Sequence, residues 1–408
     1  MLNSLAFKEY KKNNDIHGTV LYPAVMVAPM QKNILKKIIA ANEISSIFDP
    51  FHGSGTALYE AMEISPNLHL VGCDINPLAN LITKVKLQGI NKNVARDIRT
   101  LKDYVYTPRQ VYKLEFPNMD KWFRSDILDS LEIVRSAIMH IEDDQNRLFF
   151  WYTFCDVIRR HSNTRSSTYK LHIKPINTIL RIENNVVKDF FSAIIKSIDM
   201  FKSKSNNFSL FKCNILDIIG EFDDEAFDIS ITSPPYGENA TTVTYGQFSM
   251  LALYIIARND LELEGWELDN YSKIDSKSLG GKKSDYILNE FEKELLQPYL
   301  ANIEARKHRK VLRFFADYFR FLHELCRVTH KYIALTLGNR TVDRVQINLT
   351  NITKIFLENH GFVNILEEKR DIPNKRIPKI TSNVQHRPVA SMNCEYIIIH
   401  KRVFGENV

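Results

Sequence analysis

A short apolar run, Ile44 to Phe48, passes without a break into Asp49-Pro50-Phe51-His52-Gly53-Ser54-Gly55-Thr56, and helical spacing follows from Ala57 to Met62. Strand, glycine turn and helix in that order are the opening of a βαβ unit, which commits this part of the chain to a parallel sheet with helices on its faces. Without a Cβ, Gly53 and Gly55 let backbone N–H groups approach a ligand, and the helix aims its positive end at the same place. Thr56 is expected to cap that helix. A G-x-G pair also serves dinucleotides, so the turn by itself leaves the ligand open. Leu68 to Cys73 reads as the next strand and ends in Asp74, about twenty residues beyond the turn, the spacing at which a carboxylate accepts from both hydroxyls of a ribose. The same Asp would equally suit the cap of a helix starting at Pro77.

A second strand, Phe227 to Ile231, runs into Thr232-Ser233-Pro234-Pro235-Tyr236-Gly237. Two prolines fix two φ angles and remove two donors, leaving the Ser233 and Pro234 carbonyls as fixed acceptors beside an aromatic ring. Such a loop can hold a flat group bearing an NH2: the ring stacks on Tyr236 while the amine donates to Ser233 Oγ and the Pro234 carbonyl. A plain Pro-Pro-Tyr turn closing a strand is the other reading of the tetrapeptide.

Ser233-Pro234-Pro235-Tyr236 resembles the catalytic (D/N/S)-P-P-Y motif of the amino-methyltransferases, which methylate N4 of cytosine or N6 of adenine in DNA, and its leading serine resembles the cytosine branch. Asp49 to Thr56 resembles the D-P-F-x-G-S-G-T donor motif of the same family, and Val71-Gly72-Cys73-Asp74-Ile75-Asn76-Pro77 its second donor motif. The resemblance implies S-adenosylmethionine as the ligand. Asp49 would lie near its methionine amine, Phe51 near the reaction centre, Asp74 on the ribose and Ile75 on the adenine, with Pro50, Gly53, Gly55 and Thr56 also binding the donor. It also implies that Tyr22 and Pro23, in the apolar lead-in His17 to Met30, cover the amino-acid end. Asp217, ending a strand Ser209 to Asp217, would accept from the adenine amine. Cytosine C5 methylation needs a thiolate, and the family that performs it has Pro-Cys where this chain has Pro-Pro, which excludes that branch. Neither a metal nor a covalent bond to the base is required.

The chain has 408 residues, 44% hydrophobic and 25% charged, enough for one elaborated domain or two. Fifty-four basic against 48 acidic residues leave a net charge of +6, only a mild pull toward a polyanion, so the placement of the charge matters more than its sum. Five scattered cysteines with no C-x-x-C pair argue against a disulfide framework and a cysteine-rich zinc site, and fit the cytoplasm. No apolar stretch approaches the ~20 residues of a membrane span, and the N-terminus has no secretory apolar core.

Residues 88 to 208 lose the parallel-sheet rhythm and become helical, with Phe116 to Ile141 expected as one long amphipathic stretch carrying Trp122, Ile127, Leu131, Val134 and Ile138 to the core. Arg159 to Lys174 has no acidic residue, and Arg159, Arg160, Arg165 and Lys170 are candidate phosphate contacts or a solvated basic loop. Asn239, Thr241 and Tyr245, on the loop leaving the proline motif, are candidate contacts to the flipped base and its neighbours. Lys282 and Lys283 follow a glycine pair in an expected loop over the active face, Arg306 and Lys307 head a basic cluster entering a helix, and Lys375 and Arg376 lie in a long basic connection between the last two strands.

The fold class expected is α/β, a Rossmann-like methyltransferase fold with a seven-stranded, mostly parallel sheet, an antiparallel terminal hairpin and a helical insertion. Residues 1–87 and 209–408 would form the catalytic part and 88–208 the insertion, a candidate target-recognition region. The expected activity is site-specific DNA methylation at an exocyclic amine, cytosine N4 before adenine N6, with double-stranded DNA as substrate and a restriction endonuclease as candidate partner. An RNA or protein-amide methyltransferase, a DNA-binding relative without catalysis and a nicotinamide enzyme are the rivals.

Overall fold

The computed structural model describes residues 7, 10–12, 15–107, 109–165, 168–202, 204–237, 243–263, 272–281, 284–371, 380–384, 387–390 and 394–403. Its centre is a seven-stranded sheet. In chain order its strands are β1 (Ser46–Asp49), β2 (His69–Cys73), β3 (Phe208–Phe211), β4 (Phe227–Thr232) and β5 (Thr329–Leu337), followed beyond two small strands, β6 (Arg340–Val342) and β7 (Val345–Ile347), by β8 (Phe362–Asp371). After a second small pair, β9 (Ile380–Val384) and β10 (Arg387–Ala390), comes β11 (Cys394–Arg402). The spatial order is β3-β2-β1-β4-β5-β11-β8. The first five strands run parallel, and β11 inserts antiparallel between β5 and β8. This is the Rossmann-like methyltransferase fold.

Strand order reverses between β1 and β4, because the chain winds outward from β1 through β2 to β3 and then returns to lay β4 on the other side of β1. In open α/β sheets the crevice at such a reversal, beyond the carboxyl ends of the strands, is where ligands bind. β4 shows how the sheet is fixed there. Ile229 and Ile231 enter the apolar core, while Asp228, Ser230 and Thr232 alternate with them and bond to neighbouring segments. Asp228 accepts from Ser45 N at 2.7 Å and Ser230 Oγ meets Thr329 Oγ1 at 2.6 Å. Buried polar groups satisfied in this way fix register at little loss of stability.

Each face of the sheet has its own core. One packs α1 (Ala28–Ala41), α2 (Thr56–Ile64), α3 (Pro77–Gln88) and the helices of residues 94–201. The other packs the long helix Ala305–Val328 and the helix Leu349–Asn359. Helix Asp144–His161 is apolar on more than one side, with Phe149, Phe150, Trp151 and Phe154 fully buried, as expected of a helix enclosed by others. Each such aromatic contributes about 2–3 kcal/mol of burial. Asp143 caps its N-terminus by accepting from Asn146 N at 2.9 Å. The edge strand β8 carries Glu367, Glu368, Lys369 and Arg370 near its end, a charge pattern that discourages pairing with another chain.

Two expected elements differ. Phe116 to Ile141 is a single turn, Met119–Trp122, and a helix, Ser125–Met139, separated by an extended Phe123 whose ring is buried. Arg124, just after that break, donates to the carbonyls of Ile179 and Ile182, a tie that a continuous helix would not offer. The strand expected over Ser209 to Asp217 stops at Phe211, where Asn214 caps a one-turn helix, Ile215–Ile218.

Candidate functional site

β1, β2 and β4 are parallel neighbours, so the loops leaving them open on one edge of the sheet. Thr232, the last residue of β4, donates its hydroxyl to Asp49 Oδ1, at the end of β1, at 2.7 Å. Phe51 N donates to the same oxygen at 3.2 Å. Asp49 is fully buried, and its second oxygen, Oδ2, has no hydrogen-bond partner. Burial, with a smaller contribution from the nearby Asp74, raises its pKa from 3.8 to about 7 against the pull of these two donors.

The glycine turn is held from every side. Gly53 has φ +50° and donates its N–H to Asp74 Oδ2 at 3.0 Å; Gly55 has φ +70° and donates to the His52 carbonyl at 2.7 Å. Both lie in the left-handed region. A Cβ on Gly55 would meet the Thr83 hydroxyl at 2.6 Å, and one on Gly53 would lie 3.6 Å from the Tyr22 ring. Gly55 occupies the N-cap position of α2, which corrects the expectation for Thr56. Thr56 is the first helical residue, and its buried hydroxyl has no partner.

Asp74 is not a helix cap either. Asn76 caps α3 by accepting from Leu78 N, while Asp74 accepts from Gly53 N and Asn76 N and has its pKa raised by burial. Asn76 also donates to Tyr22 Oη at 3.1 Å and Ser249 Oγ at 2.8 Å. The structure therefore brings Tyr22, Gly53, Asp74 and the helix Tyr245–Ile255 to one place. The Tyr245 ring lies 5.9 Å from Tyr22, at the head of a helix and not on the loop expected for it, close to both the glycine turn and Tyr236 of the proline loop. Pro23 is buried, Ile75 and Phe51 are half-buried, and the Phe51 ring makes an edge contact with Phe321 at 5.0 Å. Asp217 is exposed in the first turn of the helix Ile215–Ile218, which replaces the strand end expected for it.

At the proline loop Pro234 is buried and Ser233, Pro235 and Tyr236 are half-buried. Ser233 Oγ and Tyr236 Oη lie 3.0 Å apart. Burial first, then the carboxylate of Glu395, keeps the phenol protonated well above its ordinary range. Glu395 pairs with Arg370 at 2.6 Å, and Arg340 packs so closely on Gly237 that a Cβ there would lie 2.7 Å from its Cδ.

The expected phosphate contacts divide. Arg159 and Arg160 end a helix, where they complement its negative terminus. Arg159 donates to the Thr168 carbonyl at 2.6 Å and lies 4.6 Å over the Phe248 ring, which ties it to the fold, while Arg160 pairs with Asp189 at 3.2 Å and stays half-exposed. Arg165 and Lys170 are exposed on the turn between Thr164 and Ile173, which bridge. Arg306 pairs with Glu304, and Lys307 with Glu304 and Asp343. Asn239, Thr241, Lys282, Lys283, Lys375 and Arg376 lie outside the described residues. Among the described residues no cluster of three or more metal-binding side chains occurs, and no helix is long and apolar enough to cross a membrane.

Sequence reasoning missed Thr232, Asn76, Ser249, Thr83 and Lys86. A signal existed for the last two: in α3, Asn80, Thr83 and Lys86 recur every three residues among apolar neighbours.

The chain is 28% identical over 426 aligned residues to the type II methyltransferase M.MvaI of Kocuria varians, covering 96% of this chain and 92% of that protein. It is 30% identical over 141 residues to the type II methyltransferase M.MjaII of Methanocaldococcus jannaschii, covering 35% of this chain and 23% of that one. No family model matches the chain. No solved structure matches it. The chain is thus similar to a type II methyltransferase across nearly the whole of both chains.

Proposed function

We propose that this chain is an S-adenosylmethionine-dependent DNA methyltransferase of a restriction-modification system, acting on the exocyclic amine of a base turned out of the duplex, with N4 of cytosine preferred to N6 of adenine. The carrying observation is the Thr232–Asp49 hydrogen bond of 2.7 Å, which ties the proline loop to the glycine turn so that an amine holder and a donor cradle share one crevice. Two buried oxygens without partners, Asp49 Oδ2 and Thr56 Oγ1, fit a polar ligand seated there.

On the cradle side Asp49 takes the donor's ammonium and Asp74 its ribose hydroxyls. Ile75 flanks the adenine, and Tyr22 and Pro23 close over the amino-acid end. Bound there, S-adenosylmethionine supplies an electrophilic methyl group on a sulfonium. On the holder side the target base stacks on Tyr236, and its amine donates to Ser233 Oγ and the Pro234 carbonyl, which draws the nitrogen lone pair out of conjugation and toward the methyl group. Tyr236 Oη, 3.0 Å from Ser233 Oγ, is placed to donate to it and keep that oxygen turned as an acceptor. Arg165 and Lys170 are exposed phosphate contacts, which supports residues 88–208 as a target-recognition region beside a catalytic part formed by 1–87 and 209–408. The leading serine of the proline motif supports cytosine over adenine.

Duplex DNA incubated with the protein and methyl-labelled donor, digested to nucleosides and analysed by mass spectrometry, is expected to contain N4-methylcytosine. N6-methyladenine would move the assignment to the other base. Label in RNA or protein alone, or in nothing, would overturn it.

A further inference from the structure

α3 reads Pro77-Leu-Ala-Asn80-Leu-Ile-Thr83-Lys-Val-Lys86-Leu-Gln88, and its Asn80, Thr83 and Lys86 lie along one stripe because residues three apart share a helix face. All three are buried, with exposures of 6%, 0% and 2%. Buried polar side chains destabilise a core unless they are bonded, so their partners reveal what they serve. Each bonds a backbone carbonyl of the crevice, and Asn80 and Thr83 also meet the His52 ring, Thr83 Oγ1 lying 3.0 Å from its Nδ1. Asn80 Nδ2 donates to the Asp74 carbonyl at 2.8 Å, Thr83 Oγ1 to the Gly53 carbonyl at 3.1 Å and Lys86 Nζ to the Ser54 carbonyl at 2.7 Å.

Lys86 is fixed from behind as well. His17 Nδ1 lies 3.4 Å from Nζ, His17 Nε2 lies 3.0 Å from Glu60 Oε1, and Lys32 pairs with Glu60 Oε2 at 3.2 Å. An ammonium taken out of water is stabilised here by a carbonyl at its front and by the Glu60 charge behind the imidazole.

The effect on the turn follows from peptide geometry. In a trans peptide the C=O and N–H point opposite ways. Thr83 holds the Gly53 carbonyl toward α3, so the Ser54 N–H points away from it, where a carboxylate can accept. Lys86 polarises the Ser54 carbonyl, which strengthens the Gly55 N–H as donor to the His52 carbonyl at 2.7 Å, the bond that closes the turn. Without these donors the two carbonyls could rotate to face an anionic group and repel it.

We propose that Lys86 and Thr83 are positioning residues that set the affinity of the glycine turn for S-adenosylmethionine, acting through the Ser54 and Gly53 carbonyls; this rests on the turn being the donor site. Burial also lowers the Lys86 pKa to about 7, in keeping with an ammonium held for a local purpose at some expense.

The test uses the full chain with Lys86→Met and Thr83→Val. Titration calorimetry reads S-adenosylmethionine binding and, separately, binding of duplex DNA carrying the target sequence; steady-state kinetics reads kcat and the donor KM. Lys86→Met is expected to raise the donor Kd and KM tenfold or more, with kcat within threefold and DNA affinity unchanged. Thr83→Val is expected to raise the donor Kd at least threefold, and it carries the test if Lys86→Met does not fold. A donor Kd within twofold of the starting protein, or equal losses of donor and DNA affinity, would overturn the proposal and leave the methyltransferase reading intact. A starting protein that binds no S-adenosylmethionine would overturn both.

Discussion

Replacing Asp49 with Asn should separate what this carboxylate does for the ligand from what it does to the fold. Asp49 is fully buried and its pKa rises from 3.8 to about 7. A group whose pKa is higher in the folded state favours folding when protonated, so its advantage is complete below pH 4 and is lost as pH rises through 7. Three pKa units correspond to about 4 kcal/mol, and roughly 2 of these accrue between pH 5.5 and 8. Asn keeps the oxygen that accepts from Thr232 and Phe51 but adds a buried NH2 in place of the partnerless Oδ2, at a loss of about 1–3 kcal/mol. The variant should therefore be about 1–3 kcal/mol more stable than the parent at pH 8. That advantage should shrink by about 2 kcal/mol at pH 5.5. Urea denaturation of the donor-free proteins at the two pH values measures this, and calorimetry should show donor affinity falling at least tenfold, on the order of 1.4 kcal/mol. A stability difference that is the same at both pH values would refute the reasoning, because it would mean that Asp49 ionises as it does in the unfolded chain.

Ser233→Ala should lower kcat on the order of 10²–10³-fold, the range for one lost preorganised hydrogen-bonding group, and leave the donor Kd within about twofold by calorimetry; a lost donor affinity would place Ser233 in the cradle instead. Gly55→Ala, at φ +70° and against Thr83, should destabilise the chain by about 2 kcal/mol or more in urea denaturation and weaken donor binding, whereas near-parent stability would show the turn to be freer than described. Arg165→Ala combined with Lys170→Ala should weaken duplex binding across all sequences and lower the slope of log K against log salt by about 1.8, as two lost phosphate contacts require. An unchanged slope would take this turn away from the DNA.

The sheet and its crevice were legible because β1, β2 and β4 are short apolar runs ending in sharply polar loops, and a strand bounded in that way has few alternatives. Asp49, Gly53, Gly55, Asp74 and the Ser233–Tyr236 loop could be read for the same reason. What escaped is set by contacts between distant segments. That Asn76, and not Asp74, caps α3 depends on Asp74 being engaged by Gly53 N, twenty-one positions away in sequence. Arg159 and Arg160 looked free because Asp189 and the Phe248 ring, their partners, belong to other helices. Composition showed the charge of the Arg159 to Lys174 stretch but not which cations were already neutralised. The break at Phe123 falls in the five-residue step from Trp122 to Ile127, and the regular spacing of Ile127, Leu131, Val134 and Ile138 beyond it hid that step.

Residues 89–207 leave the sheet region at the end of α3 and come back to form β3, the outermost strand on its side. The exposed loops of this detour can lengthen or shorten while the pairing of β1 with β4 at the middle goes undisturbed. Its helices cannot, because they share one core with α1, α2 and α3, so any change in their buried faces is felt at the glycine turn that those three elements support.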